Sequence, residues 1–101
     1  MAPFTFKTDK LRALYTQNKG ARRFPPEVVT AFFRAMAEIR SAEGIGDIRA
    51  LKSRRFEKLE GRSPEEGDRS LRLTGKWRLI VSLRADDDGE YLLIHKIEDY
   101  H

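Results

Sequence analysis

An α+β domain is expected because the apolar rhythm of this chain changes once, from a period near 3.6 to a period of two. Helical spacing governs the first half, in "TDKLRALYTQNKG" and "FPPEVVTAFFRAMAEIRSAEG". Alternation governs the last third, in "SLRL", "WRLIVSLR" and "YLLIHKI", with turn signals "TGK" and "ADDDGE" between them. At 101 residues the chain is the size of one small domain, spanning residues 1–101. Two N-terminal helices packed on one face of a C-terminal antiparallel β-meander bury both kinds of apolar surface.

The first helix takes Thr8 or Asp9 as its cap, sets Leu11, Leu14 and Tyr15 on one side, and stops at Asn18-Lys19-Gly20. Pro26 suits the first turn of the second helix, where a missing N–H costs nothing. Its stripe is expected at Val29, Phe32, Phe33, Met36 and Ala37, with Gly44 as the stop. Asp47–Leu51 reads as a further helical turn, followed by a basic link and an extended "RRFEKL". "RSPEEGDRS" reads as a polar loop because of Pro64 and Gly67.

Composition removes several functions. The chain has no cysteine, so disulfides and thiolate metal sites are excluded. With two histidines, and a triple Asp lacking calcium-loop spacing, no metal and no cofactor is expected. The N-terminus lacks the apolar stretch of a signal peptide, and no apolar run is long enough to cross a membrane. A cytoplasmic location is expected. The net charge of +4 is unevenly spread, with four acids gathered in "DDDGE" and the rest of the chain basic. A basic surface suits a polyanion such as RNA.

Hairpin geometry gathers the chemistry. Residues equidistant from a turn lie about 5 Å apart across strands. Pairing Arg84 with Tyr91 sets Arg78 opposite Ile97, one step from Glu98, and brings Arg72 beside Arg78. Arg72, Arg78 and the terminal Asp99-Tyr100-His101 then share one end of the sheet, and the acidic turn occupies the other. Arginine grips phosphate with paired charge-assisted bonds, and histidine moves protons near neutral pH. Such a set suffices to cleave RNA by 2′-OH attack. Each part has a plainer reading: "DYH" as a solvated tail, the two arginines as a solvated face, His95 as a packed histidine, and "KSRR" as solvated surface rather than a phosphate contact.

"LRALYTQNKGARRFPPE", "DIRAL…RRFEKLEG", "SLRLTGKWRLIVSL" and the final "DYH" together resemble the HigB-like toxins of bacterial toxin–antitoxin systems, within the RelE superfamily. The resemblance implies a microbial-RNase-like fold and metal-independent endonucleolytic cleavage of mRNA on the ribosome. It also implies a cognate helix-turn-helix (HigA-like) antitoxin encoded beside the toxin. By position it assigns catalysis to Asp99, Tyr100, His101 and Arg78, and phosphate binding to Arg72. Lys76, Arg54, Arg55 and Lys58 are the further expected RNA contacts. Glu57 stands where some members carry a catalytic histidine and others Glu, and Glu60 where lysine is common. Those two positions motivate an alternative: a toxin relative that binds its antitoxin or RNA without cleaving. A DNA-binding repressor fits less well, since the Phe-rich stripe belongs to the core and no helix-turn-helix is evident.

Overall fold

The computed structural model describes residues 4–100. β1 (Phe4–Phe6) opens the chain, followed by α1 (Asp9–Gln17), α2 (Pro26–Ser41) and α3 (Ile45–Arg49). Then come β2 (Glu57–Lys58), β3 (Arg69–Arg72), β4 (Trp77–Asp86) and β5 (Gly89–Asp99). The strands form one sheet in the order β1-β5-β4-β3-β2.

The architecture is α+β, but the sheet is mixed and five-stranded rather than a three-stranded antiparallel meander. β2 adds antiparallel to β3, and β1 adds parallel to β5, pairing Phe4 with Leu92 and Phe6 with Ile94. Three residues are too few for an alternation to register in a sequence. Burial explains β1 instead: Phe6 is buried, and Phe4, Phe6 and Tyr15 meet ring to ring.

α1 is capped by the Thr8 hydroxyl, which accepts from the Leu11 N–H, and ends at Asn18 in the left-handed conformation. α2 starts at Pro26 as expected, but its buried stripe is Val28, Phe32, Ala35, Met36 and Ile39. Val29 and Phe33 are only half-buried and Ala37 is exposed, so the expected stripe is rotated toward solvent by part of a turn. Gly44 does not end this helix; Ala42 closes it, and Gly44 precedes α3. The helices cover one face of the sheet, against Leu71, Leu79, Val81, Leu92, Ile94 and Ile97.

The opposite face is covered over its middle. Residues 59–68 fold across it, with Leu59, Gly67 and Asp68 buried. Gly67 has φ +86°, and a Cβ there would stand 2.6 Å from the Ile80 side chain. Only glycine lets the loop lie so close to the sheet. Ser63 and Glu66 cap its single helical turn reciprocally. Arg84 donates to the Pro64 carbonyl and Lys7 to the Glu65 carbonyl, tying the loop down from β4 and from the residue that follows β1.

Candidate functional site

The site is built by one irregularity in the β4–β5 ladder. Arg84 pairs with Tyr91 and Val81 with Ile94, but Ile80 pairs with Lys96, so His95 is an extra residue. The bulge shifts the register by one, and Arg78 lies opposite Glu98 rather than Ile97. Because side chains alternate faces, the shift has a consequence. Ile97 pairs with Leu79 toward the helices, while Glu98, and then Tyr100, return to the face that carries Arg78 and Arg72. The bulge is held by burial of His95 and by a 2.9 Å hydrogen bond between its Nε2 and the Ser82 hydroxyl. Burial, with Lys7, Arg84 and Lys96 nearby, lowers the His95 pKa, and Asp68 opposes this in part.

Arg78 is the centre of this arrangement. It is 8% exposed, and its Nε and Nη1 have no hydrogen-bond partner among the described residues. Buried guanidinium nitrogens are nearly always paired, so two unpaired ones ask for an anion. Its Cζ lies 5.5 Å from the centroid of the Tyr100 ring, a cation–π contact. Tyr100 is held there by its backbone N–H, which donates to the Lys76 carbonyl at 2.6 Å. Arg72 pairs directly with Arg78 in the ladder, and its Nε is spent on the Thr74 carbonyl at 3.3 Å. The Ser70 hydroxyl, on the same face of β3, is also buried without a partner among the described residues.

The carboxylate across from Arg78 is engaged elsewhere. Glu98 accepts from both Arg62 nitrogens at 3.2 and 2.8 Å, and Lys96 approaches it at 3.3 Å. Its bond to Arg62 holds the Glu98 carboxyl below the usual range. Asp99 pairs with Trp77, so by alternation it is on the other face from Arg78, with the Lys76 ammonium 4.0 Å from its carboxylate. Arg72, Arg78, Lys76, Asp99 and Tyr100 thus share one sheet end, and Asp86, Asp87, Asp88 and Glu90 stand at the other. His101, expected to carry the proton, lies outside the described residues.

The profile of the "RelE-like toxin of type II toxin-antitoxin system HigB" matches residues 4–101. Toxin HigB-1 of Vibrio cholerae serotype O1 is 33% identical over 75 residues, 74% of this chain and 77% of that protein. The chain belongs to the HigB-like toxin family. No solved structure matches it. As a type II toxin of this family it has an antitoxin as its partner.

Not every expected contact of this HigB-like toxin joins the site. Arg54 is taken up structurally: it donates to Glu38 at 2.7 and 3.0 Å and to the Arg72 carbonyl at 3.1 Å, pinning the end of β3 to α2. Arg55 is exposed, in the left-handed conformation, and Lys58 is exposed on β2, two strands from β4. Glu57 pairs with Ser70, which puts it on the Arg72 and Arg78 face. Arg62 and Glu98 were not foreseen as members of the site. One signal pointed to them: Ile80 interrupts the polar outward positions Arg78, Ser82 and Arg84, and an apolar residue there requires a cover.

Among the described residues no group of three or more His, Cys, Asp or Glu could hold a metal ion. No helix among them is long and apolar enough to cross a membrane.

Proposed function

We propose that this toxin is a ribosome-dependent mRNA endoribonuclease acting in the bacterial cytoplasm, restrained by a helix-turn-helix antitoxin of the HigA type. The observation that carries the reading is Arg78, a buried guanidinium with two nitrogens unpaired among the described residues, at the sheet end that holds Asp99 and Tyr100. In the proposed reaction a base takes the proton of a ribose 2′-OH, and that oxygen attacks the adjacent phosphorus. The bond to the 5′-oxygen breaks and that oxygen is protonated, leaving a 2′,3′-cyclic phosphate and a 5′-hydroxyl. No metal is required. Arg78 and Arg72 offset the charge that builds on the phosphoryl oxygens, as fixed donors in a water-poor site do best. Tyr100 holds the guanidinium plane from one side. His101 is the proposed proton carrier, with Asp99 and Tyr100 beside it in the chain. Lys76, Lys58 and Arg55 are the proposed outer phosphate contacts, since all three are exposed.

Mapping mRNA 5′ ends in cells that express the toxin without its antitoxin tests this. New ends at codon spacing, lost with His101→Ala, are expected together with growth arrest. Growth arrest with no new ends would transfer the reading to a binding-only toxin, for which Glu57 and Glu60 are the motive.

A further inference from the structure

Arg78 has a carboxylate directly across the ladder and does not use it. Arg78 and Glu98 are register partners on β4 and β5, so their side chains share one face of the sheet. Cross-strand partners stand about 5 Å apart at Cβ, and opposite charges so placed attract one another. Yet Nε and Nη1 of Arg78 have no partner among the described residues, and Glu98 turns both oxygens to Arg62. Arg62 Nη1 and Nη2 donate to Oε1 and Oε2 at 3.2 and 2.8 Å. A guanidinium fork that takes both oxygens fixes the plane of a carboxylate as well as its position.

Fastening the 59–68 loop is the plainer purpose of this pair, and the loop has other fastenings. The Leu59 N–H donates to the Asp68 carbonyl at 2.8 Å, joining its two ends. Arg84 and Lys7 hold the Pro64 and Glu65 carbonyls, and Gly67 lies against Ile80. Among the described residues, only Arg62 occupies both oxygens of the carboxylate that faces Arg78. Lys96 reaches just one of them, at 3.3 Å.

We propose that Arg62 is a positioning residue that keeps Arg78 free, by holding Glu98 away from the guanidinium it would otherwise neutralise. Without Arg62, a carboxylate of the toxin itself competes with each incoming phosphate for Nε and Nη1 of Arg78. The proposal rests on the reading of Arg78 as a phosphate-binding group and deepens it. It also gives the ion pair a direction. Losing the arginine closes the site, and losing the carboxylate as well reopens it.

The test compares the full-length toxin with Arg62→Met, with Arg62→Met combined with Glu98→Gln, and with Lys96→Ala. The first readout is the NMR signal of the Arg78 Nε–H, alone and titrated with inorganic phosphate. In Arg62→Met the signal should start displaced from its position in the parent protein. Moving it should take on the order of tenfold more phosphate, as expected for competition with a charge-assisted hydrogen bond. The combined variant should return both properties toward the parent. The second readout is mRNA cleavage, which should fall in Arg62→Met and largely recover in the combined variant. Lys96→Ala removes a charge beside the same carboxylate but leaves the Arg62 fork in place, so its effect should be far smaller. An equal effect would reduce the matter to net charge and overturn the proposal. An Arg62→Met chain that does not fold, or a combined variant no better than Arg62→Met, would assign the pair to structure and overturn it too. The starting position of the Arg78 signal needs neither ligand nor RNA. An undisplaced signal in Arg62→Met therefore sinks this proposal alone, whereas the expected displacement without any cleavage sinks the endoribonuclease reading and leaves this one standing.

Discussion

Arg54 and Arg78 sit near the same end of the sheet, one on each face, and their surroundings differ in a single respect. Arg54 faces the helices, with its side chain 11% exposed and its guanidinium spread over the Glu38 carboxylate and the Arg72 carbonyl. Arg78 faces the loop side, is buried to a similar degree, and leaves Nε and Nη1 unpaired among the described residues. Burying guanidinium nitrogens without hydrogen-bond partners costs free energy that a fold has no reason to tolerate for its own sake. The paired arginine holds α2 to β3. The other has the Tyr100 ring beside it and, among the described residues, leaves Nε and Nη1 to offer; we propose that an anion from outside takes them.

The largest effect expected from this contrast is on activity. Arg78→Met keeps the length of the stem and removes the charge. Loss of a fixed donor at a developing oxyanion typically costs about 10²–10³ in rate. Toxicity and cleavage are therefore expected to fall by that order, with a thermal midpoint no lower than that of the parent protein. A clear drop in the midpoint would mean that Arg78 contributes to the fold after all, and that its nitrogens find partners in solution.

Arg54 should behave in the reverse way. Arg54→Ala removes a two-point ion pair and the hydrogen bond to the Arg72 carbonyl. Charged hydrogen bonds of this kind are worth about 1–3 kcal/mol, and urea unfolding should show a loss in that range. Its effect on cleavage should be smaller than that of Arg78→Met and should follow the loss of folded protein. If Arg54→Ala abolishes cleavage in a protein that remains folded, Arg54 binds RNA in the complex and exchanges Glu38 for it.

The two arginines also show what a sequence discloses. The alternation of "SLRL" and "WRLIVSLR" was enough to place Arg72 beside Arg78, and the turn residues set Arg84 against Tyr91. The exact partner of Arg78 was not legible, because a bulge leaves no fixed signature and here depends on His95 finding Ser82 beneath a loop. The same loop lies against Ile80 and, through Arg62, binds Glu98 opposite Arg78. Only Gly67 and the misplaced Ile80 hinted at it, and neither says where the loop will lie. The structural partners of Arg54 were hidden for a related reason. "KSRR" looks like a solvated basic run, and nothing local reveals that one of its arginines meets Glu38 on α2, 16 residues away. β1 escaped because three residues cannot establish a period, and its pairing is with the far end of the chain.

The smallest effect separates the two arginines by pH. Arg54, through its hydrogen bond and charge, holds the Glu38 carboxyl below its ordinary pKa of 4.5, against a smaller opposing effect of burial. A carboxylate whose pKa is lower in the folded state stabilises the fold above the unfolded value, and that stability is lost as pH falls through the folded value. Glu38 is about one-third exposed, so solvent screening keeps the contribution at or below about 1 kcal/mol. Among the described residues Arg78 has no such carboxylate, since Glu98 is bound to Arg62 instead. Glu38→Gln should therefore lower the thermal midpoint slightly at pH 7, and the gap from the parent protein should narrow steadily as pH falls below 4.5. The same comparison in an Arg78→Met background should give the same closing gap, because Arg78 is not coupled to Glu38. A gap that persists unchanged at pH 3 would show that Glu38 acts through packing and not through its charge, and that the Arg54 side of the comparison is weaker than its geometry suggests.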